Sequence, residues 1–116
     1  MSLAKTVVDI LLEGETIAVD LDGTLAKHLD GEFDKDKIGE PVPEMVKKVK
    51  AWLAANKKVV IFTARAASAE NVPPIKKWLR DHDLPDLQIT NEKTPDMVLF
   101  VDDRARAVVR DKGTYK

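Results

Sequence analysis

Two carboxylates, Asp20 and Asp22, stand one residue apart where the apolar run of "TIAVDLDGTLA" ends, with Gly23 and Thr24 directly after them. A second acid pair, Asp102 and Asp103, closes the run "MVLFVDD". Thr63 and Arg65 close a third run, "KVVIFTAR", and Lys93 stands in the polar link "TNEKTPD". Four carboxylates gathered in one place repel each other strongly. A divalent, oxygen-seeking cation relieves that repulsion, and Mg²⁺ characteristically takes one or two carboxylates, waters and a substrate phosphate. A lysine and a hydroxyl suit the phosphate itself. Together these groups have the chemistry of phosphoryl transfer, in which the protein mostly positions groups and neutralises charge. Side chains i and i+2 of an extended chain share one side, so D-x-D spacing aims two carboxylates at one phosphorus, one to attack and one to handle the proton. Gly23 permits the tight turn out of the strand.

These residues meet only if the chain folds to bring the run ends together. Thr16–Asp20, Lys58–Ala64 and Met97–Asp103 are short and apolar, as buried parallel strands are. Asp86–Thr90 is a weaker candidate and Ala107–Arg110 a short edge candidate. Between the first two lies a helix that starts at Pro43 and Glu44, with Val46, Val49, Trp52 and Leu53 on one face and Asn56 as its left-handed stop. A second helix spans about Val72 to Asp81, with Pro73 and Pro74 in its first turn, an inner face of Val72, Ile75, Trp78 and Leu79, and Leu84-Pro85 ending it. Alternating strands and helices imply parallel pairing. The expected fold is α/β: a three-layer sandwich around a Rossmann-like parallel sheet of about five strands. In such sheets ligands bind beyond the carboxyl ends of the strands, where every polar cluster of this chain falls. "AKTVVDILLEG" reads as a short helix or an extended arm stopped by Gly14.

Composition narrows the function classes. The 116 residues suit a single domain, 1–116. A net charge of −1 gives nucleic acid no bulk electrostatic support, and the paired lysines at Lys47, Lys57 and Lys76 lack interleaved aromatics. The absence of cysteine removes disulfides, thiolate metal sites and a Cys nucleophile. No apolar run reaches the ~18 residues of a membrane span, and no basic-then-apolar leader is visible, so a cytoplasmic protein is expected.

The four clusters resemble, in order and approximate spacing, the four motifs of the haloacid dehalogenase (HAD) superfamily of phosphatases. "DLDGTLA" resembles the first, "VVIFTAR" the second, Lys93 the third and "VLFVDD" the fourth. The resemblance implies that Asp20 is the nucleophile and forms an aspartyl-phosphate, and that Asp22 is the general acid and then the base that activates water. Thr63 would bond a phosphate oxygen and Lys93 would offset the charge on Asp20 and the phosphate. It implies substrate contacts at Gly23, Thr24, Thr63, Ala64 and Arg65. Mg²⁺ would be held by Asp20, the backbone carbonyl of Asp22, and the pair Asp102 and Asp103, with Asp103 favoured as the direct ligand. Both points where this superfamily inserts a cap are short here, Leu25–Val42 and Asn91–Glu92, so the chain resembles a capless member with a flap over about residues 25–42. The pattern is also similar to small HAD-like hydrolases of phage and bacterial genomes. An uncapped site suits a large substrate, or closure by a homo-oligomer.

The expected function is therefore a Mg²⁺-dependent phosphomonoesterase acting on a nucleotide, a nucleic acid end or a small phosphate ester. The alternative is a non-catalytic or regulatory phospho-acceptor or binding domain on the same scaffold. Response-regulator receivers also combine an acid pair, an acceptor Asp, a Thr and a Lys, but their acid pair follows the first strand, whereas here it follows the last. Plainer readings stand beside these. Asp20 and Asp22 can be a solvated turn, Thr63 a cap, Lys93 a solvated loop lysine, and Asp102-Asp103 the cap of the next turn. Arg65 has two readings, substrate ligand or partner of an acid. His28 in the flap reads as a bystander, and His82 as a helix-end residue.

Overall fold

A computed structural model describes the chain from residue 15 to 116. The expected N-terminal helix or arm lies outside the described residues. Four strands form one parallel sheet: β1 (Thr16–Val19), β2 (Lys58–Phe62), β3 (Ile89–Thr90) and β4 (Met97–Val101), in the order β3-β2-β1-β4. β1 is central and fully buried, which explains its unbroken apolar sequence. Among the described residues two α-helices complete the framework, α1 (Pro43–Ala54) and α2 (Val72–Asp81), preceded in the second case by two short 3₁₀ turns, Ala64–Ala67 and Ala69–Asn71.

The sheet is smaller than the sequence suggests. It has four strands among the described residues, not about five. Ala107–Arg110 does not join its edge; Val108 instead bridges Tyr115 in an antiparallel hairpin turned by Asp111 and Gly113, both at positive φ. Asp86–Thr90 pairs only over its last two residues, although Leu87 is still buried in the core. The helix limits agree with the apolar periodicity. Pro stands in the first turn of each, and Asn56 ends the first at φ 62°. The second spans Val72–Asp81 as expected, and the stop itself is His82 followed by Asp83 with φ 59°, ahead of Leu84-Pro85.

Both helices contribute to one hydrophobic cluster. Val49 of α1 and Ile75, Trp78 and Leu79 of α2 pack with Ile17, Val19, Val59 and Ile61, and with Leu99 and Val101 at the sheet's edge. Alternation sends Ala18, Val60, Phe62 and Phe100 to the opposite face, where Ala18, Val60, Phe62 and Met97 form a separate small cluster. The link from Asn91 to Asp96 carries the chain from β3 at one edge to β4 at the other. Its end is fixed by Thr16, whose hydroxyl donates to Asp96 at 2.6 Å.

The flap is narrower than its expected span. Leu25 and Ala26 are fully buried, and Ala26 bridges Pro41, so the projecting segment begins after Ala26 and returns by Pro41. Its root is held by a buried hydrogen bond of 2.9 Å from the Trp78 indole to the carbonyl of Gly39. A Cβ at Gly39 would collide with the Lys27 carbonyl, so the two arms of the flap approach as closely as only glycine allows.

Two outcomes follow for stability. Ile75→Ala should cost about 2–5 kcal/mol in urea denaturation, because it empties a site with no solvent access. Trp78→Phe keeps an aromatic ring, though a smaller one, but leaves the Gly39 carbonyl unpaired, and should cost about 1–3 kcal/mol in the same measurement.

Candidate active site

Parallel register brings the carboxylates together. Val19 pairs with Val101, so the residues that follow, Asp20 and Asp102, leave neighbouring strands side by side. The Asp20 amide donates to the Val101 carbonyl at 2.9 Å and extends the pairing by one residue. β1 is also where the sheet's winding changes direction, since its neighbours β2 and β4 are reached by connections running opposite ways. Crevices form at such points, and this one holds the acids.

Asp20, Asp102 and Asp103 each offer a carboxylate oxygen, and these oxygens lie within 4.8 Å of one another. Asp20 is half-buried, while the other two are exposed. Burial, then the charge of Asp102, then a hydrogen bond shared with Asp103 push the Asp20 carboxyl up from 3.8 to about 7. Desolvation and crowding both disfavour the third negative charge. An all-oxygen donor set under this repulsion fits a hard divalent cation, whose charge would offset the crowding of the acids.

The turn after β1 is closely fitted to this cluster. Gly23 has φ +87°, and a Cβ there would run into the Asp103 carboxylate. The Thr24 hydroxyl accepts from the Asp103 amide at 3.0 Å and donates to its carboxylate at 3.3 Å. Thr24, expected among substrate contacts, is thus buried and engaged with Asp103. Asp102 accepts from the Arg104 amide at 2.7 Å, so it also closes a turn, as its plainer reading had it.

Asp22 stands apart from the three clustered acids. Both of its carboxylate oxygens accept from Arg65, one from Nε and one from Nη2, each at 2.8 Å. Arg65 therefore takes its second reading, partner of an acid. Its side chain is 9% exposed, Nη2 also donates to the Lys37 carbonyl at 3.1 Å, and Nη1 is buried with no hydrogen-bond partner. The guanidinium carbon lies 4.9 Å from the centre of the Phe33 ring. Arg65 thus links the turn after β1 to two points of the flap. Its own backbone is set by Thr63, whose buried hydroxyl accepts from the Arg65 amide at 3.2 Å, and by Asn71, whose side chain donates to the Arg65 carbonyl at 2.9 Å.

Asp20, Asp22, Thr63, Ala64, Arg65 and Asp103 all line one open cleft of about 1320 Å³, with the flap forming its far wall. His28 lines it too, exposed and 3.6 Å from Asp30. Lys93 lies elsewhere. It lines a smaller cavity of about 140 Å³ with Asp20, Asp102 and Phe100, and its ammonium rests 4.9 Å from the centre of the Phe100 ring instead of on an acid. The Phe33 contact and the Thr24–Asp103 pair have no signal in spacing, because both join residues far apart in sequence.

No protein-family profile and no curated protein matches the chain. A solved structure is similar to it: a conserved protein from Bacteroides thetaiotaomicron, 27% identical, covering 78% of this chain and 77% of that one with a TM-score of 0.61. The similarity supports the α/β fold with its parallel sheet.

The raised Asp20 carboxyl predicts a pH signature without metal. Unfolded, Asp20 loses its proton near 3.8, whereas folded it keeps it to about 7. The unfolded state is therefore favoured progressively as pH rises between these values. Asp20→Asn removes the effect. In EDTA its melting temperature should rise relative to wild type from pH 4 to pH 7, with the gap constant above. A gap independent of pH would refute the shift.

Proposed function

We propose that the chain is a Mg²⁺-dependent phosphomonoesterase of the haloacid dehalogenase type, acting through an aspartyl-phosphate on Asp20. The observation that carries this reading is the convergence of Asp20, Asp102 and Asp103, two of which, Asp20 and Asp103, line one cleft with Asp22 and Thr63. Asp20, Asp102 and Asp103, with the backbone carbonyl of Asp22, would hold the cation. Mg²⁺ held there would neutralise charge on Asp20 and on the phosphate. Asp20 then forms a bond to phosphorus as the ester P–O bond breaks. The leaving oxygen takes its proton from Asp22. In the second half, water bonds to phosphorus, the P–O bond to Asp20 breaks, and Asp22 takes up the water's proton. Arg65 engages both carboxylate oxygens of Asp22, so donating to the leaving group requires one oxygen to be released from the guanidinium. Thr63 bonds a phosphate oxygen. Lys93 would reach the phosphate by leaving the Phe100 ring.

The same reading includes the finer architecture. The sheet is the middle layer of a three-layer sandwich, because the face opposite the helices carries Ala18 and Val60, both buried, beside Phe62 and Phe100. Such an apolar face requires a covering layer. The short flap in place of a cap leaves the cleft open. Among the described residues no helix is long and apolar enough to cross a membrane. The chain's lack of cysteine fits a reducing cytoplasm.

Phosphate release from 4-nitrophenyl phosphate and a nucleotide panel tests the proposal. Wild type with Mg²⁺ should turn over, EDTA should abolish it, and Asp20→Asn should reduce it to background. Asp22→Asn should lower the rate on the order of 10²–10⁴-fold. Labelling of Asp20 without turnover would point instead to a regulatory phospho-acceptor.

A further inference from the structure

We infer that Phe33 is a stacking platform for a planar aromatic ring on the leaving-group side of the substrate. The inference rests on the phosphatase reading and assigns its substrate class. Phe33 lines the cleft that contains Asp20 and Asp22, yet it is 63% exposed. A large ring so exposed does little packing for its own fold. Its placement is nonetheless fixed, because its ring contact is the guanidinium of Arg65. That guanidinium is itself fixed by two hydrogen bonds to Asp22 and one to the Lys37 carbonyl. A cation held against one face of an aromatic ring leaves the other face free to stack.

Position along the reaction axis assigns the ring to the leaving group. Asp20 attacks phosphorus from one side, and the leaving oxygen departs on the other, where Asp22 handles the proton. Phe33 lies one guanidinium beyond Asp22, so it meets what the phosphate is attached to. Charge gives the same orientation. The flap around Phe33 lines the cleft with Asp30, Glu32 and Asp34 against Lys35 and Lys37, a net negative wall that disfavours a phosphate. The phosphate belongs at the deep end and an uncharged ring at the flap. Leu29, 47% exposed on the same wall, adds apolar surface beside it.

Binding of non-hydrolysable phosphonates tests this without turnover. Calorimetry with Mg²⁺ would compare methylphosphonate, phenylphosphonate and an alkylphosphonate bearing adenine. Wild type should bind at least one aromatic ligand about 5- to 10-fold more tightly than methylphosphonate. Phe33→Ala should erase that preference while leaving methylphosphonate binding and the melting temperature unchanged, and Phe33→Tyr should restore it. A preference for phenylphosphonate assigns a ring directly on the ester oxygen; one for the adenine ligand alone assigns a ring beyond a spacer. Equal binding of all three, or a preference that survives Phe33→Ala, overturns the platform and leaves the phosphatase reading standing. Failure of wild type to bind any of them overturns both.

Discussion

The pairing of β1 with β4 is the constraint on which the rest depends. A parallel ladder in register at Val19 and Val101 delivers Asp20 and Asp102 to the same height on neighbouring strands. Asp103 follows one residue later and is locked by Thr24. A shift of one residue would turn the apolar side chains of β1 to the wrong face, so the burial of Ile17 and Val19 protects the alignment of the acids. The core is therefore what stabilises a local arrangement of like charges that is itself unfavourable. The raised Asp20 carboxyl is the visible sign of that opposition.

Arg65 plays the corresponding part on the open side of the cleft. It meets Asp22, Lys37 and Phe33, which belong to the turn after β1 and to the flap. Bidentate geometry fixes the plane of the guanidinium, which a lysine could not do. Without this clasp, the segment between Ala26 and Pro41 would be tied mainly at its root, through Trp78 and Gly39. The two ends of the cleft thus differ in kind. The deep end is a set of acids held by strand register, and the mouth is an aromatic ring held by one cation.

Lys93 shows how far a motif can carry. The resemblance to the haloacid dehalogenase pattern would make it, by its place before β4, a phosphate partner, yet its ammonium rests on Phe100. The position beside Asp20 and Asp102 in the small cavity keeps it within the same neighbourhood. Chain order puts the lysine before β4, and the aromatic ring beneath it determines where its charge sits.

By itself the sequence determined the local elements and the strand-end placement of the acids. Period-2 and period-3.6 patterns, proline in the first turns and Asn56 at positive φ are short-range effects, legible within a few residues. It could not show that Ala107–Arg110 leaves the sheet for Tyr115, because edge pairing depends on which partner is nearer in space. Nor could it choose between the two readings of Arg65, since both need the same charge. Only the tertiary structure decided that Asp22 belongs to Arg65 while Asp20 belongs to Asp102 and Asp103, although the two acids stand one residue apart. Their side chains meet different neighbours, which follow β2 and β4 and stand 43 and about 80 positions away.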